Sequence, residues 1–331
     1  MKWVIICLLS FLLVGCFDNS DNASRSNNIS LVSDVLDDYL SEDDFNELFP
    51  HANHGKESSK YADVILYSYN NMKNGLDLNE ELSVFMSEGD DTIKRLELAA
   101  ILANWAQETT GGWGDDPNEY TKWGLCWYEE VGARDSQLPE HCYFTRNNAY
   151  QPTEEPGGDT CFFGRGTIQL SHNANYGAFS EFLYNEDKLV LLDDPDAILR
   201  DGTLAFASGF WFWTTYRGSP NIPNKTCHEV MVEEGAQGFG KVINIVNGGI
   251  ECNRELPPFS NEYGKKIRHR ADHFHYFATY LGVEDELPPR PDGKPEDNQI
   301  WNDYYRAILA GCIVTGQKVL VANKMSISFL Y

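Results

Sequence analysis

Two stretches of this chain are apolar on nearly every face. Leu96 to Ala106 reads Leu-Glu-Leu-Ala-Ala-Ile-Leu-Ala-Asn-Trp-Ala, and Leu204 to Thr215 contains Trp211-Phe212-Trp213. A helix with no polar side belongs inside a larger protein, so both predict core helices, and Ile267 to Leu281 predicts a third. Asp90-Asp91-Thr92 supplies capping side chains for the first, and Thr109-Thr110-Gly111-Gly112 stops it with two β-branched residues and two glycines. Val32 to Leu48 mixes helical spacing with many acids and predicts one or two surface helices. Between Gly111 and Gly164 the periodicity vanishes into Gly, Pro, Asp and aromatics with three cysteines, the composition of a long, cross-linked, site-forming region. Glu286 to Asn298 holds Pro288, Pro289, Pro291 and Pro295 and reads as a linker. After it, Trp301, Tyr304, Tyr305, Ile308 and Cys312 return at helical spacing without suggesting a role. Strand signals are few and short. The pattern predicts a mainly α domain with long ordered loops.

The first segment reads as an address. Lys2 precedes the apolar run Trp3 to Val14, about 12 residues against the roughly 20 that a membrane span needs. Leu13-Val14-Gly15-Cys16 looks like a bacterial lipobox, in which Cys16 receives a lipid and the chain is cut before it. The competing reading is an ordinary signal peptide and a secreted product. Phe17, where Asp would retain the protein, favours the outer membrane. Asp18 to Ser30 is rich in Asn, Ser and Asp and reads as a flexible tether of about 20 Å reach. The expected organisation is a lipoprotein signal over 1–15, a tether over 16–31, one catalytic domain over 32–285, and a Pro-rich linker with a tail over 286–331.

Charge narrows the partners. The 331 residues carry 26 Lys and Arg against 50 Asp and Glu, a net −24. A nucleic-acid binder needs a basic face to neutralise phosphates, and docking on anionic lipid needs one too. The 8 Trp, 17 Tyr and 18 Phe suit a flat, partly apolar ligand such as a sugar ring. Cys7 leaves with the signal and Cys16 takes the lipid. Cys126, Cys142, Cys161, Cys227, Cys252 and Cys312 remain, an even set that in an exported protein suggests disulfides of open connectivity. No Cys-x2-Cys pair exists to hold zinc. His269, Asp272 and His273 read as a polar helix face, so no metal is expected. Gly235 to Lys241 begins like a phosphate-binding loop, but Val242 stands where the magnesium-binding hydroxyl belongs, so no nucleotide is expected and no cofactor is needed.

One carboxyl stands out. Glu108 sits at the C-terminal end of the first core helix, where burial and the negative helix end both favour its protonated form. Such an acid suits proton donation to a glycosidic oxygen; the same position also suits a Glu paired to an Arg. Glu129 and Glu130 follow in the Gly-rich region. In a polar loop setting such an acid stays ionised and can serve as base for a water, or can be a solvated surface charge.

These residues carry a resemblance to glycoside hydrolase family 19, the plant-type and bacterial chitinases. Gln107-Glu108-Thr109-Thr110-Gly111-Gly112-Trp113 resembles the catalytic signature, and Trp123-Gly124-Leu125-Cys126 leading to Glu130 resembles the second signature, 22 residues after the first Glu. Gly164 to Gly177 resembles the substrate-cleft segment, Pro195-Asp196 with Trp211-Phe212-Trp213 the buried helix, and Gly238-Phe239-Gly240 with Asn247 to Cys252 the late glycine-rich segment. The order is collinear from about Arg95 to Val283.

The resemblance implies a lysozyme-like fold and an endochitinase that inverts the anomeric centre; a monomer is expected. Glu108 would be the general acid, Glu130 the general base and Ser171 the holder of the attacking water. Gln169, Asn175 and Asn247 would bind substrate, Trp113 and Trp123 would shape the cleft, and Glu251 and Arg270 would form a charged network around Glu108, with Arg268 as substitute for Arg270. It also implies a Cys142–Cys161 bridge. Chitin or chitooligosaccharides are the expected substrate, with peptidoglycan or partly deacetylated chitin as alternatives, and non-catalytic sugar binding as a rival role. Gln107 stands where many relatives have His, Ala174 where many have Tyr, and Cys126 has no N-terminal cysteine to pair with.

Overall fold

The computed structural model describes residues 33–110, 120–136, 138–252, 262–296 and 298–312. The signal, the tether, the Cys16 lipidation position and Trp113 lie outside them. Among the described residues the helices are α1 (Asp34–Asp37), α2 (Glu42–Leu48), α3 (Tyr69–Asp77), α4 (Asp91–Thr110), α5 (Asn173–Leu183), α6 (Leu189–Asp193), α7 (Ala197–Arg200), α8 (Gly202–Thr215), α9 (Cys227–Glu234), α10 (Phe239–Glu251), α11 (Glu262–Tyr280) and α12 (Gln299–Ile308). No strand forms among these residues; two isolated bridges, Glu129 to Arg165 and Arg165 to Leu170, tie the loops together.

Helix α4 is the axis of the domain. Asp90 Oδ1 accepts the Ile93 N–H at 3.0 Å, which caps its start. From Leu96 onward every residue is buried. Helix α11 packs along α4, and α3 packs on α8. Trp105 lies edge-on to Phe206 and Phe210, with centroids 5.4 and 5.1 Å away. The polar residues inside α4 have partners. Glu97 accepts from Trp213 Nε1 at 2.9 Å and the Met86 N–H at 3.1 Å, and meets His228 Nδ1 at 2.7 Å.

The α3–α8 crossing depends on Gly75. A Cβ there would stand 2.7 Å from Phe206 Cβ and 2.9 Å from the Ala207 nitrogen. In an open helix Gly75→Ala would stabilise by about 0.5–1 kcal/mol. Overpacking against backbone costs about 1–3 kcal/mol. The net expectation is a loss of about 1–2 kcal/mol by denaturant unfolding; a gain would mean that the two helices do not meet here.

Cys142–Cys161 and Cys252–Cys312 form disulfides. Cys126 and Cys227 are buried free thiols. One expectation from the sequence is corrected. The 269–273 segment is not a solvated polar face, because Asp272 and His273 are buried. Asp272 accepts from the hydroxyls of Tyr120 and Tyr305, and burial drives His273 down to about 3. Helix α11 turns this side inward because its neighbours supply phenol donors for the carboxylate.

Candidate active site

Glu108 lies in the last turn of α4 and is 5 % exposed. Arg270, from α11 and itself buried, donates Nη2 to its carboxylate. The same guanidinium donates Nε to Glu251 Oε2 at 2.7 Å, Nη2 to Glu251 Oε1 at 2.8 Å, and Nη1 to Asn104 Oδ1 at 3.0 Å. Asn104 precedes Glu108 by one helical turn and so shares its face. One cation thus serves two buried carboxylates. Burial raises the proton affinity of Glu108, Arg270 opposes the rise and Glu251 adds to it. Arg268 is not the partner; its guanidinium lies 5.8 Å above the Tyr305 ring.

Asn247 reaches the same network by a break in α10. Its φ of −144° and ψ of 28° are non-helical, and its Nδ2 donates to Glu251 Oε1 at 2.8 Å.

A cleft lined by Glu108, Gln169, Ser171 and Asn175 opens over Phe212 and Val246. Its polar side is a tight turn. Gln169 (φ 48°) and His172 (φ 70°) are left-handed on either side of Ser171, conformations that L-residues hold only when their surroundings enforce them. Gln169 Nε2 donates to the Gly166 carbonyl at 3.0 Å, and Asn175 Nδ2 donates to the Ser171 carbonyl at 2.9 Å. Ser171 Oγ is buried with no hydrogen-bond partner among the described residues. An orphaned buried hydroxyl in a cleft is a group waiting for a water or ligand.

Glu130 lines a second cleft with Trp127, Val131, Ser59 and Arg134. Its N–H donates to the Gly164 carbonyl at 2.9 Å, and Tyr143 Oη donates to its Oε1 at 2.9 Å. The expected polar, ionised loop carboxylate is corrected here. Glu130 is 8 % exposed, and burial pushes its pKa up to about 7 despite the Tyr143 bond. The loop closes over it because Gly164 and Arg165 pair with its backbone and Leu170. Its neighbour Glu129 lines the same cleft but is held by a cation. It pairs with Arg134, which also binds Asp196, and Asp196 Oδ1 accepts Arg165 Nε at 2.9 Å.

The structure therefore gathers Glu108, Gln169, Ser171 and Asn175 at one cleft, places Asn247, Glu251 and Arg270 behind the acid, and sets Glu130 at the next cleft, joined to the first through the 164–171 segment. Trp123 lines neither cleft: its ring stacks on His51 at 3.8 Å and meets the edge of His54 at 5.1 Å. Three residues escaped sequence reasoning. Asn104 was signalled by being polar in an apolar helix at four residues from Glu108. Trp127 was signalled only by following Cys126, and Gly55 makes room for it, since a Cβ there would lie 2.3 Å from its ring. Tyr143 had no signal. Among the described residues no three His, Cys, Asp or Glu side chains are placed to hold a metal.

The family model for chitinase class I, glycoside hydrolase family 19, matches residues 39–286. Endochitinase B of Nicotiana tabacum is 31 % identical over 259 residues, 75 % of this chain and 70 % of the relative. Chitinase 9 of Oryza sativa is 36 % identical over 210 residues, 60 % of this chain and 55 % of its own. The crystal structure of chitinase C from Streptomyces griseus superposes with a TM-score of 0.53 at 28 % identity, covering 74 % of this chain and 77 % of that one. The mainly helical, lysozyme-like architecture expected from the sequence is the one found. By the span of the family match, together with the helix that carries Glu108 and the turn that carries Ser171, this chain belongs to the class I chitinases of glycoside hydrolase family 19.

Proposed function

We propose that the chain hydrolyses β-1,4 bonds between N-acetylglucosamine units of chitin or its oligosaccharides, with inversion. Glu108 gives its proton to the glycosidic oxygen as the bond to the anomeric carbon breaks. Water held by Ser171 attacks the opposite face and loses a proton to the Glu130 carboxylate, a transfer that requires the substrate groove to run through both clefts along the 164–171 segment, whose Gly164 carbonyl accepts the Glu130 N–H. Gln169, Asn175 and Asn247 hold the N-acetyl and hydroxyl groups. The observation that carries this reading is Glu108 itself, a deeply buried carboxyl with a raised pKa beside a cleft whose turn presents an unpartnered hydroxyl. The base must be ionised, so turnover rises as the pH approaches about 7 and falls when Glu108 loses its proton.

The lipobox-like Leu13-Val14-Gly15-Cys16 supports an enzyme tethered to the bacterial envelope by a lipid on Cys16. Among the described residues no helix is long and apolar enough to cross a membrane. That placement brings peptidoglycan within reach as a second substrate.

Incubation with the N-acetylglucosamine hexamer, with anomers followed by NMR, tests the reading. Inversion releases the α-anomer first. First release of the β-anomer overturns the mechanism, and clearing of purified cell walls without cleavage of the hexamer moves the substrate to peptidoglycan.

A further inference from the structure

The family match ends at residue 286, yet the chain returns to the domain beyond it. Leu287 is buried, and Arg290 Nη2 donates to Asp272 Oδ1 at 3.3 Å. Helix α12 buries Trp301, Tyr304, Tyr305 and Ile308, the apolar stripe for which the sequence suggested no role. Tyr305 Oη donates to Asp272 Oδ2 at 2.9 Å, two residues from Arg270 on α11. The next turn meets α10. Asn244 Nδ2 donates to the Gly311 carbonyl at 2.9 Å. Gly240 sits so close to Ala310 that a Cβ would lie 2.0 Å from its carbonyl oxygen. Cys312 is bonded to Cys252, the residue after Glu251.

The strap thus grips the two helices that supply the support of Glu108, at Asp272 two residues along α11 from Arg270 and at Cys252 next in the chain to Glu251. We propose that the segment Leu287–Cys312 is a positioning element of the active site, which holds Glu251 and Asn247 against Arg270 and thereby fixes Glu108. This rests on the reading of Glu108 as the acid.

The consequence has a sign. Glu251 takes two of the hydrogen bonds that Arg270 makes. When Glu251 retreats, the positive charge of Arg270 falls on Glu108 alone and water enters beside it. Both changes favour the carboxylate and lower its proton affinity. Asn247 retreats with Glu251, so substrate contact weakens as well.

The test uses the full chain carrying Cys312→Ser, with kcat, KM and the pH profile measured on the hexamer and unfolding followed by circular dichroism. The expected result is a kcat lowered about tenfold, a raised KM, and a basic limb moved down by about one pH unit. Tyr305→Phe keeps the disulfide and the ring but loses the bond to Asp272. It moves all three in the same direction by less, and it decides the matter if Cys312→Ser does not fold. A lowered Tm with unchanged kcat, KM and basic limb in the folded variants overturns the proposal, because the strap is then structural only. Glu108→Gln is measured alongside: wild-type turnover in that variant overturns the acid assignment itself, whatever the strap variants do.

Discussion

Glu108→Gln is expected to lower kcat on the hexamer about a thousandfold while binding of the oligosaccharide stays nearly constant. The change removes one proton and little else. Glutamine keeps an oxygen for Arg270 Nη2, and Arg270 retains Glu251 and Asn104, so no buried cation is left without a partner. A missing proton donor in glycosidic cleavage costs about 10²–10⁴ in rate; a lost binding contact would raise KM instead. Steady-state kinetics with binding calorimetry separate the two, and a raised KM with unchanged kcat would remove Glu108 from the role of acid.

Glu130→Gln is expected to slow turnover about 10²–10⁴-fold as well, and at alkaline pH to make the protein more stable. The folded protein binds the Glu130 proton more tightly than the unfolded chain does, with a pKa raised from 4.5 to about 7. Stability is therefore greatest below pH 4.5, where both states hold the proton. It falls as pH rises through about 7, because the unfolded chain sheds the proton at less cost. At about 1.4 kcal/mol per pH unit, charge burial at this side chain opposes folding by roughly 3 kcal/mol above pH 7. Glutamine carries no such charge and keeps an acceptor for Tyr143. A Tm about 5 °C above wild type at pH 8.5, converging at pH 4.5, is the expected pattern. A Tm difference that does not change with pH would mean that Glu130 is not buried as a charge. Unaltered turnover would mean that it is not the base.

Helices α4 and α8 were legible because each is apolar on nearly every face, and burial leaves that mark on sequence directly. Glu108 was legible for the same reason, as an acid at the end of such a helix. The resemblance then pointed to Arg270 and Glu251, and the geometry joins both to Glu108. The region around Glu130 was harder. Its burial comes from contacts with Gly164, Tyr143 and the 165–170 turn, which are distant in sequence and follow no period. A loop acid therefore read as solvated when it is enclosed. Asp272 misled in the same way, because the phenols that satisfy it come from Tyr120 and Tyr305 on other segments. Trp123 occupies its motif position, yet its ring is engaged by His51 and His54, from a stretch the sequence did not connect to it.

Cys126 and Cys227, the unbridged cysteines among the described residues, bear on how the cross-links persist. Thiol–disulfide exchange needs a thiolate with access to a sulfur. Burial pushes the Cys126 thiol up to about 11 and raises that of Cys227 beside Glu97. Once the interior has closed, neither of these two thiols is a nucleophile able to reach the Cys142–Cys161 or Cys252–Cys312 bridge. Exchange through Cys126 or Cys227 therefore belongs to the interval before closure, after which these two thiols leave both bridges as they formed.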